Sequence, residues 1–211
     1  MLSEDERKQW QRFRFEKHRH TYLVAHALVR STLSRYCDVD PAAWQFERNN
    51  YGRPDVSLPD IWRPLRFNLS HTTGMVAVIV AWDREVGVDV EWVDRPNYGP
   101  SIANRYFSPD EVSDLFDLPE ETQAKAFFNY WTLKEAYIKA RGMGLSIPLD
   151  QFSFRLRSNE PIGIAFAPEL VDDPNSWYFE RHTPSKSHTL SLAVRKAGAE
   201  TPRVTLREIT P

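Results

Sequence analysis

The stretch RFNLSHTTGMVAVIVAWDREVGVDVEWV, residues 66–93, decides how this chain is read. Phe67 and Leu69 alternate with polar neighbours, the pattern of a strand with one buried face. Met75 to Ala81 is an unbroken apolar run of strand length. Val86, Val88 and Val90 alternate with Gly87, Asp89 and Glu91, which makes a third strand. Side chains on a strand point to alternate faces, so Asp89 and Glu91 share one face and the valines the other. Two carboxylates side by side repel, so the pair needs solvent, a cation or a raised pKa. The wet face of a strand meets that need, and on its own the acidic pair implies nothing more.

Working outward from this β-rich stretch, Ser3 and Glu6 have the spacing of a capping box at a helix start. A basic and aromatic run follows, Arg12-Phe13-Arg14-Phe15-Glu16-Lys17. Ala25, Val29 and Leu33 then recur at helical spacing, as do Val24 and Leu28, so residues 21–36 are expected to form an amphipathic helix. Asp40-Pro41 is a turn or short helix start, Trp44 to Glu47 alternates as a strand, and residues 49–54 carry turn chemistry. On the other side, Asp94, Pro96, Gly99 and Pro100 mark a linker over residues 94–101. Ser108-Pro109-Asp110-Glu111 is a second capping box with proline at the first helical position. A long helix is expected from near Pro119 to Arg141, closed by Gly142 in the left-handed conformation. Strand-like runs follow at residues 152–156, 162–166, 177–181 and 189–194. The expected fold is therefore α+β, in two similar, pseudo-twofold-related subdomains, residues 1–98 and 99–211. Each is expected to pack a small antiparallel sheet on a long helix.

Composition narrows the function classes. The chain has 211 residues, 41% of them hydrophobic and 27% charged, which is ordinary globular usage. With 27 Lys and Arg against 29 Asp and Glu, the net charge of −2 offers no general attraction to nucleic acid or anionic lipid. Cys37 is the only cysteine, which excludes an internal disulfide and a cysteine-based zinc site. Met75 to Trp82, the longest apolar stretch, is too short to span a bilayer, and the charged N-terminus has no signal-peptide core. A cytoplasmic protein acting on neither nucleic acid nor membrane is expected.

Two further segments could carry chemistry. In residues 131–139, WTLKEAYIK, Glu135 and Lys139 lie one helical turn apart, as a surface ion pair would. The glycines at 142 and 144 suggest a tight exit from that helix. Phe67-Asn68-Leu69-Ser70-His71-Thr72-Thr73-Gly74 runs from a strand into a polar turn, whose hydroxyl, imidazole and backbone N–H groups suit a phosphate oxygen. A Ser-His-Asp hydrolase is disfavoured because no G-x-S-x-G elbow surrounds Ser70.

Taken together, GRP at 52–54, FNLSH at 67–71, VGVDVE at 86–91 and WTLKEAYIKARGMGL at 131–145 resemble, in order and spacing, the 4′-phosphopantetheinyl transferases of the surfactin-synthetase-activating type. The likeness runs from about residue 3 to residue 195. It implies an Mg²⁺-dependent enzyme, with Mn²⁺ as an alternative ion, that uses coenzyme A as substrate and an apo acyl or peptidyl carrier protein as acceptor. A carrier serine would attack the β-phosphorus, and 3′,5′-ADP would leave. By position Asp89 and Glu135 are then metal ligands, with Glu91 a third ligand or a group behind them. Hard oxygen donors without cysteine suit these ions. Lys139 would stabilise charge on the transferred phosphoryl group, and Glu135, directly or through a metal-bound water, is favoured as acceptor of the serine proton. Coenzyme A would meet Arg53, Ser70, His71 and Thr72, with Tyr22 near the adenine and Arg7, Lys8 and Arg12 near the 3′-phosphate. Glu6 departs from the pattern, standing where a relative type has lysine.

Relatives also have a strand ahead of the segment that begins here at Met1-Leu2-Ser3; either that strand is absent, which would leave an uncovered sheet edge in the first half, or the start codon is misassigned. The enzyme is expected to be a monomer, with its site between the halves. The carrier would dock near Tyr106, Phe107, Leu115 and Phe116. A metal-dependent phosphoesterase or a non-catalytic coenzyme A- or carrier-binding module are the rival readings. The sequence does not indicate which carrier is served.

Overall fold

A computed structural model describes residues 2–95 and 99–209. Two helices open the chain, α1 (Glu4–Arg12) and α2 (Glu16–Leu33). Both halves of the Ser3–Glu6 capping box form. Helix α2 starts five residues ahead of the expected position and stops three short of it. Its first turn, with Glu16, Lys17, His18 and His20 exposed, has no apolar periodicity to reveal it.

Two hairpins follow. β1 (Gln45–Arg48) pairs antiparallel with β2 (Pro54–Leu58), and β3 (Leu65–Thr72) with β4 (Met75–Trp82). Val29 and Leu33 of α2 pack with Trp44, Val56, Leu65 and Phe67 into one core between these hairpins. Among the described residues β4 pairs with β3 alone. β5 (Val86–Trp92) instead joins the far end of the chain. It pairs antiparallel with β9 (His188–Arg195), which pairs in turn with β8 (Trp177–Ser185). Of the expected linker, Pro96 lies outside the described residues, as does residue 98 at the expected boundary.

The second core surrounds α5 (Glu120–Arg141), reached through α3 (Ala103–Tyr106) and α4 (Pro109–Phe116), and packed by the hairpin of β6 (Phe152–Arg155) and β7 (Gly163–Phe166). Phe127, Phe128, Leu133, Tyr137 and Ile138 of α5 are buried, as a helix walled in on most sides requires. Gly142 closes α5 with φ 64°, as expected. The docking residues need correction: Phe107 and Leu115 are core side chains, and Tyr106 is half-buried edge-on to Trp131, whereas Phe116 is exposed. An apolar residue beside a capping box reads the same in sequence whichever way it points. The architecture is α+β, with small antiparallel sheets packed on helices.

Candidate active site

β5 lies against α5 at backbone distance. A Cβ on Gly87 would stand 2.0 Å from the Ala136 carbonyl oxygen and 2.6 Å from Ala140 N, so only glycine fits there. This contact carries Asp89 to Lys139, whose Nζ lies 2.6 Å from Asp89 Oδ1. Lys139 also donates to Ser70 Oγ at 3.0 Å and to the Val88 carbonyl at 3.4 Å, which uses all three of its donors. The wet-face reading of Asp89 does not hold, because its side chain is buried. Period 2 told which face it shares but not how deep that face lies.

β3 and β5 run side by side without a backbone ladder, joined by side chains. Asn68 Oδ1 accepts from Val88 N at 3.0 Å, Ser70 Oγ from Val90 N at 3.3 Å and Thr72 Oγ1 from Trp92 N at 3.3 Å. Ser70 then donates its hydroxyl hydrogen to Asp89 Oδ1 at 2.8 Å, and Thr72 donates to Glu91 Oε2 at 3.3 Å. The polar residues of FNLSHT thus support the acids. Ser70 and Thr72, expected at phosphate, spend their hydroxyls on Asp89 and Glu91, while His71 is exposed at the end of β3. Asn68, to which the sequence reading gave no role, belongs to the same stripe, and its i, i+2, i+4 spacing was the available signal.

The electrostatics mark a site short of positive charge. Burial, then the charges of Asp89 and Glu91, push Glu135 up to about 7 against the pull of Lys139. Glu91 is raised as well, by burial and by Asp89, although Arg95 lies 3.6 Å from it. His71 is lowered, first by desolvation and then by the Lys139 ammonium. Asp89 Oδ2 is buried with no hydrogen-bond partner among the described residues. An orphaned, buried carboxylate oxygen near two further acids is the kind of donor a hard divalent cation takes. Among the described residues, no three His, Cys, Asp or Glu side chains converge on one point as ligands, and the ammonium of Lys139 stands on Asp89 instead.

The remaining expected residues lie apart from this centre. Arg7 and Arg12 are exposed on α1. Tyr22 is half-buried on α2, its ring 4.1 Å from that of His26. Arg53 turns to the end of α5, donating to the Ala140 carbonyl at 2.9 Å. Glu6, the departure from the family pattern, is a tie between helices: it takes Arg30 Nη2 on both oxygens, at 3.0 and 2.8 Å, and lies 3.0 Å from His26 Nδ1. Another pair escaped the sequence reading. Lys134, inside the KEA segment, is fully buried 2.7 Å from Glu111, and it also donates to the Leu149 and Phe152 carbonyls. The capping-box glutamate is therefore also the counter-charge of a core lysine.

Residues 85–193 match the 4′-phosphopantetheinyl transferase superfamily, and residues 1–83 match its N-terminal family, 4′-phosphopantetheinyl transferase, N-terminal. The 4′-phosphopantetheinyl transferase HetI of Nostoc sp. is 36% identical over 179 residues, covering 82% of this chain and 75% of its own length. The 4′-phosphopantetheinyl transferase Sfp of Bacillus subtilis is 33% identical over 193 residues, 90% of this chain and 81% of its own length. A phosphopantetheinyl transferase of Thraustochytrium sp. is 31% identical over 222 aligned positions, 99% of this chain and 76% of its own length. With Asp89 of β5 paired to Lys139 of α5, and with these relatives across most of its length, the chain belongs to the 4′-phosphopantetheinyl transferase family.

Proposed function

We propose that this transferase moves the 4′-phosphopantetheine moiety of coenzyme A to a serine of an apo acyl or peptidyl carrier protein, through the centre formed by Asp89, Glu91, Glu135 and Lys139. The observation that carries this assignment is the buried, unpaired Asp89 Oδ2 beside two acids whose carboxyls are held above their ordinary range. Asp89, Glu91 and Glu135 would hold Mg²⁺ or Mn²⁺, which supplies charge neutralisation for the pyrophosphate when bound. The chain's own groups do the rest. Glu135, poised near neutrality by its burial, accepts the proton of the carrier serine as its oxygen bonds to the β-phosphorus and the bond to 3′,5′-ADP breaks. Lys139 turns its ammonium from Asp89 towards the transferred phosphoryl oxygens. Ser70 and Thr72 keep Asp89 and Glu91 in register. Coenzyme A runs from His71 towards the basic α1–α2 region, with Tyr22, Arg7 and Arg12 on its nucleotide side.

The same reading treats residues 1–98 and 99–211 as pseudo-twofold-related units with the site between them. It makes the enzyme a monomer of the cytoplasm acting on neither nucleic acid nor membrane. The net charge of −2 supports this, and among the described residues no helix is long and apolar enough to cross a membrane. Intact-mass analysis of purified apo carriers tests the reading. A carrier incubated with enzyme, coenzyme A and Mg²⁺ gains the phosphopantetheine mass, and EDTA abolishes the gain. Hydrolysis of coenzyme A without any carrier adduct would identify a phosphoesterase instead.

A further inference from the structure

Asp172, in the loop from β7 to β8, gathers the elements that carry the acids and the lysine. Its side chain is 4% exposed. Oδ2 accepts from Tyr137 Oη of α5 at 2.8 Å, from Trp177 Nε1 of β8 at 3.0 Å and from Arg141 Nη1 of α5. Oδ1 accepts from the Asp173 N–H at 2.8 Å and lies 3.9 Å from Arg195 Nη2 of β9. Arg141 also donates to Tyr137 Oη at 2.9 Å, which closes a triangle. Arg195 reaches on to Glu85, the residue before β5, at 2.9 Å. Burial works against the charge of Asp172, but the bonds from Tyr137 and the Asp173 N–H, with the charge of Arg141, hold its carboxyl below the ordinary range. One buried anion thus ties α5 to β8, to β9 and, through Arg195, to the start of β5.

An α-helix turns about 100° per residue, so Tyr137 and Arg141, two before and two after Lys139, each lie about 160° round from it. They are one turn apart on the face opposite Lys139. From the front of that same turn Lys139 points to Asp89, with Nζ 2.6 Å from Oδ1. Gly87 decides how closely β5 approaches α5, but a close approach does not fix how the helix is rolled about its own axis. Apolar burial is non-directional, whereas hydrogen bonds weaken steeply when bent. The triangle behind Lys139 is therefore the contact that sets this roll.

We propose that Asp172 is a positioning residue for Lys139: through Tyr137 and Arg141 it fixes the roll of the last turn of α5, and so where the ammonium stands. This rests on the reading that Lys139 serves the transferred phosphoryl group. Steady-state kinetics of the full chain with coenzyme A, Mg²⁺ and an apo carrier test it, with the folded fraction of each variant taken from circular dichroism. Asp172→Ala removes the anion and its acceptors, and it lowers kcat per folded molecule by at least about tenfold, as displaced catalytic groups do. KM for coenzyme A and for the carrier stays within about twofold of wild type, because no ligand contact is removed. Asp172→Asn, whose amide oxygen still accepts from Tyr137 and Trp177, restores a large part of the lost kcat. A wild-type kcat per folded molecule in Asp172→Ala would make Asp172 a packing residue. A raised KM for coenzyme A with kcat intact would place its effect in ligand binding. Either result overturns the inference. Should Asp172→Ala not fold, Tyr137→Phe decides, because it keeps the ring in the core and removes the hydroxyl alone. Its kcat then falls by at least about threefold with both KM values unchanged, and an unchanged kcat overturns the inference. A wild type that modifies no carrier overturns the transferase reading, whereas an active wild type with equally active variants overturns the positioning role only.

Discussion

At Gly87 a single hydrogen atom decides whether the acids of β5 can reach α5. Gly87→Ala puts a methyl group 2.0 Å from the Ala136 carbonyl oxygen, with no flexible side chain to move aside. It is expected to cost about 3 kcal/mol or more in urea unfolding, the upper end for overpacking, and to depress transfer in whatever protein remains folded. The acids themselves separate by their surroundings. Asp89→Asn and Glu135→Gln should abolish transfer while near- and far-ultraviolet circular dichroism stay unchanged, since on the proposed reading Asp89 holds the metal and Glu135 takes the serine proton. Glu91→Gln should cost only about 10–100-fold in kcat/KM if Glu91 stands behind the ligands, and as much as the other two if it is a ligand. These acids were legible in the sequence because a strand motif and a helix motif matched in order. Their depth was not, since burial of Asp89 depends on α5 and β3, both remote in the chain.

Between elements, two devices replace what a continuous sheet or a long helix would supply. The first is the side-chain ladder from Asn68, Ser70 and Thr72 to the N–H groups of β5. Asn68→Ala leaves the buried Val88 N–H unpaired, so a loss of about 1–3 kcal/mol is expected, together with lower kcat as Asp89 loses its register. The second device ties α1 to α2. Burial alone would raise Glu6, but the bond to His26, the Ser3 N–H and the charge of Arg30 outweigh it and hold the carboxyl at about 2, against an ordinary 4.5. A carboxyl lowered on folding stabilises above its unfolded value and loses that stability as pH falls towards the folded one. The tie should therefore be intact above about pH 4.5 and lost progressively towards pH 2, a span worth about 3 kcal/mol. Glu6→Gln should flatten the acid limb of the stability curve in that window. A stability curve unchanged by Glu6→Gln would show that the tie contributes nothing. Caps and periodic apolar faces made α4, α5 and most of α2 readable from sequence. The ladder, the Glu6 tie and the Glu111–Lys134 pair were not, because polar side chains that serve distant partners look like surface residues until the partners are placed.

For the molecule as a whole, β5 lies on three neighbours at once: β9 by a backbone ladder, β3 by side chains and α5 by direct backbone contact. The early strands and the late helix are therefore joined at the acids, and folding of both regions is a condition for activity. Phe116, exposed at the end of α4, remains a candidate for carrier docking after Phe107 and Leu115 prove to be core. Phe116→Asp is expected to raise KM for the carrier alone, with coenzyme A binding and thermal stability unchanged; an unaltered carrier KM would move the docking surface elsewhere. The central claim is that acids from β5 and α5 form one catalytic centre. Single-turnover intact-mass measurement tests it most directly, following an apo carrier with wild type, Asp89→Asn and Glu135→Gln at saturating coenzyme A and Mg²⁺. The account predicts the phosphopantetheine adduct with wild type and none with either folded variant over the same time. Near wild-type adduct formation by either variant would contradict it.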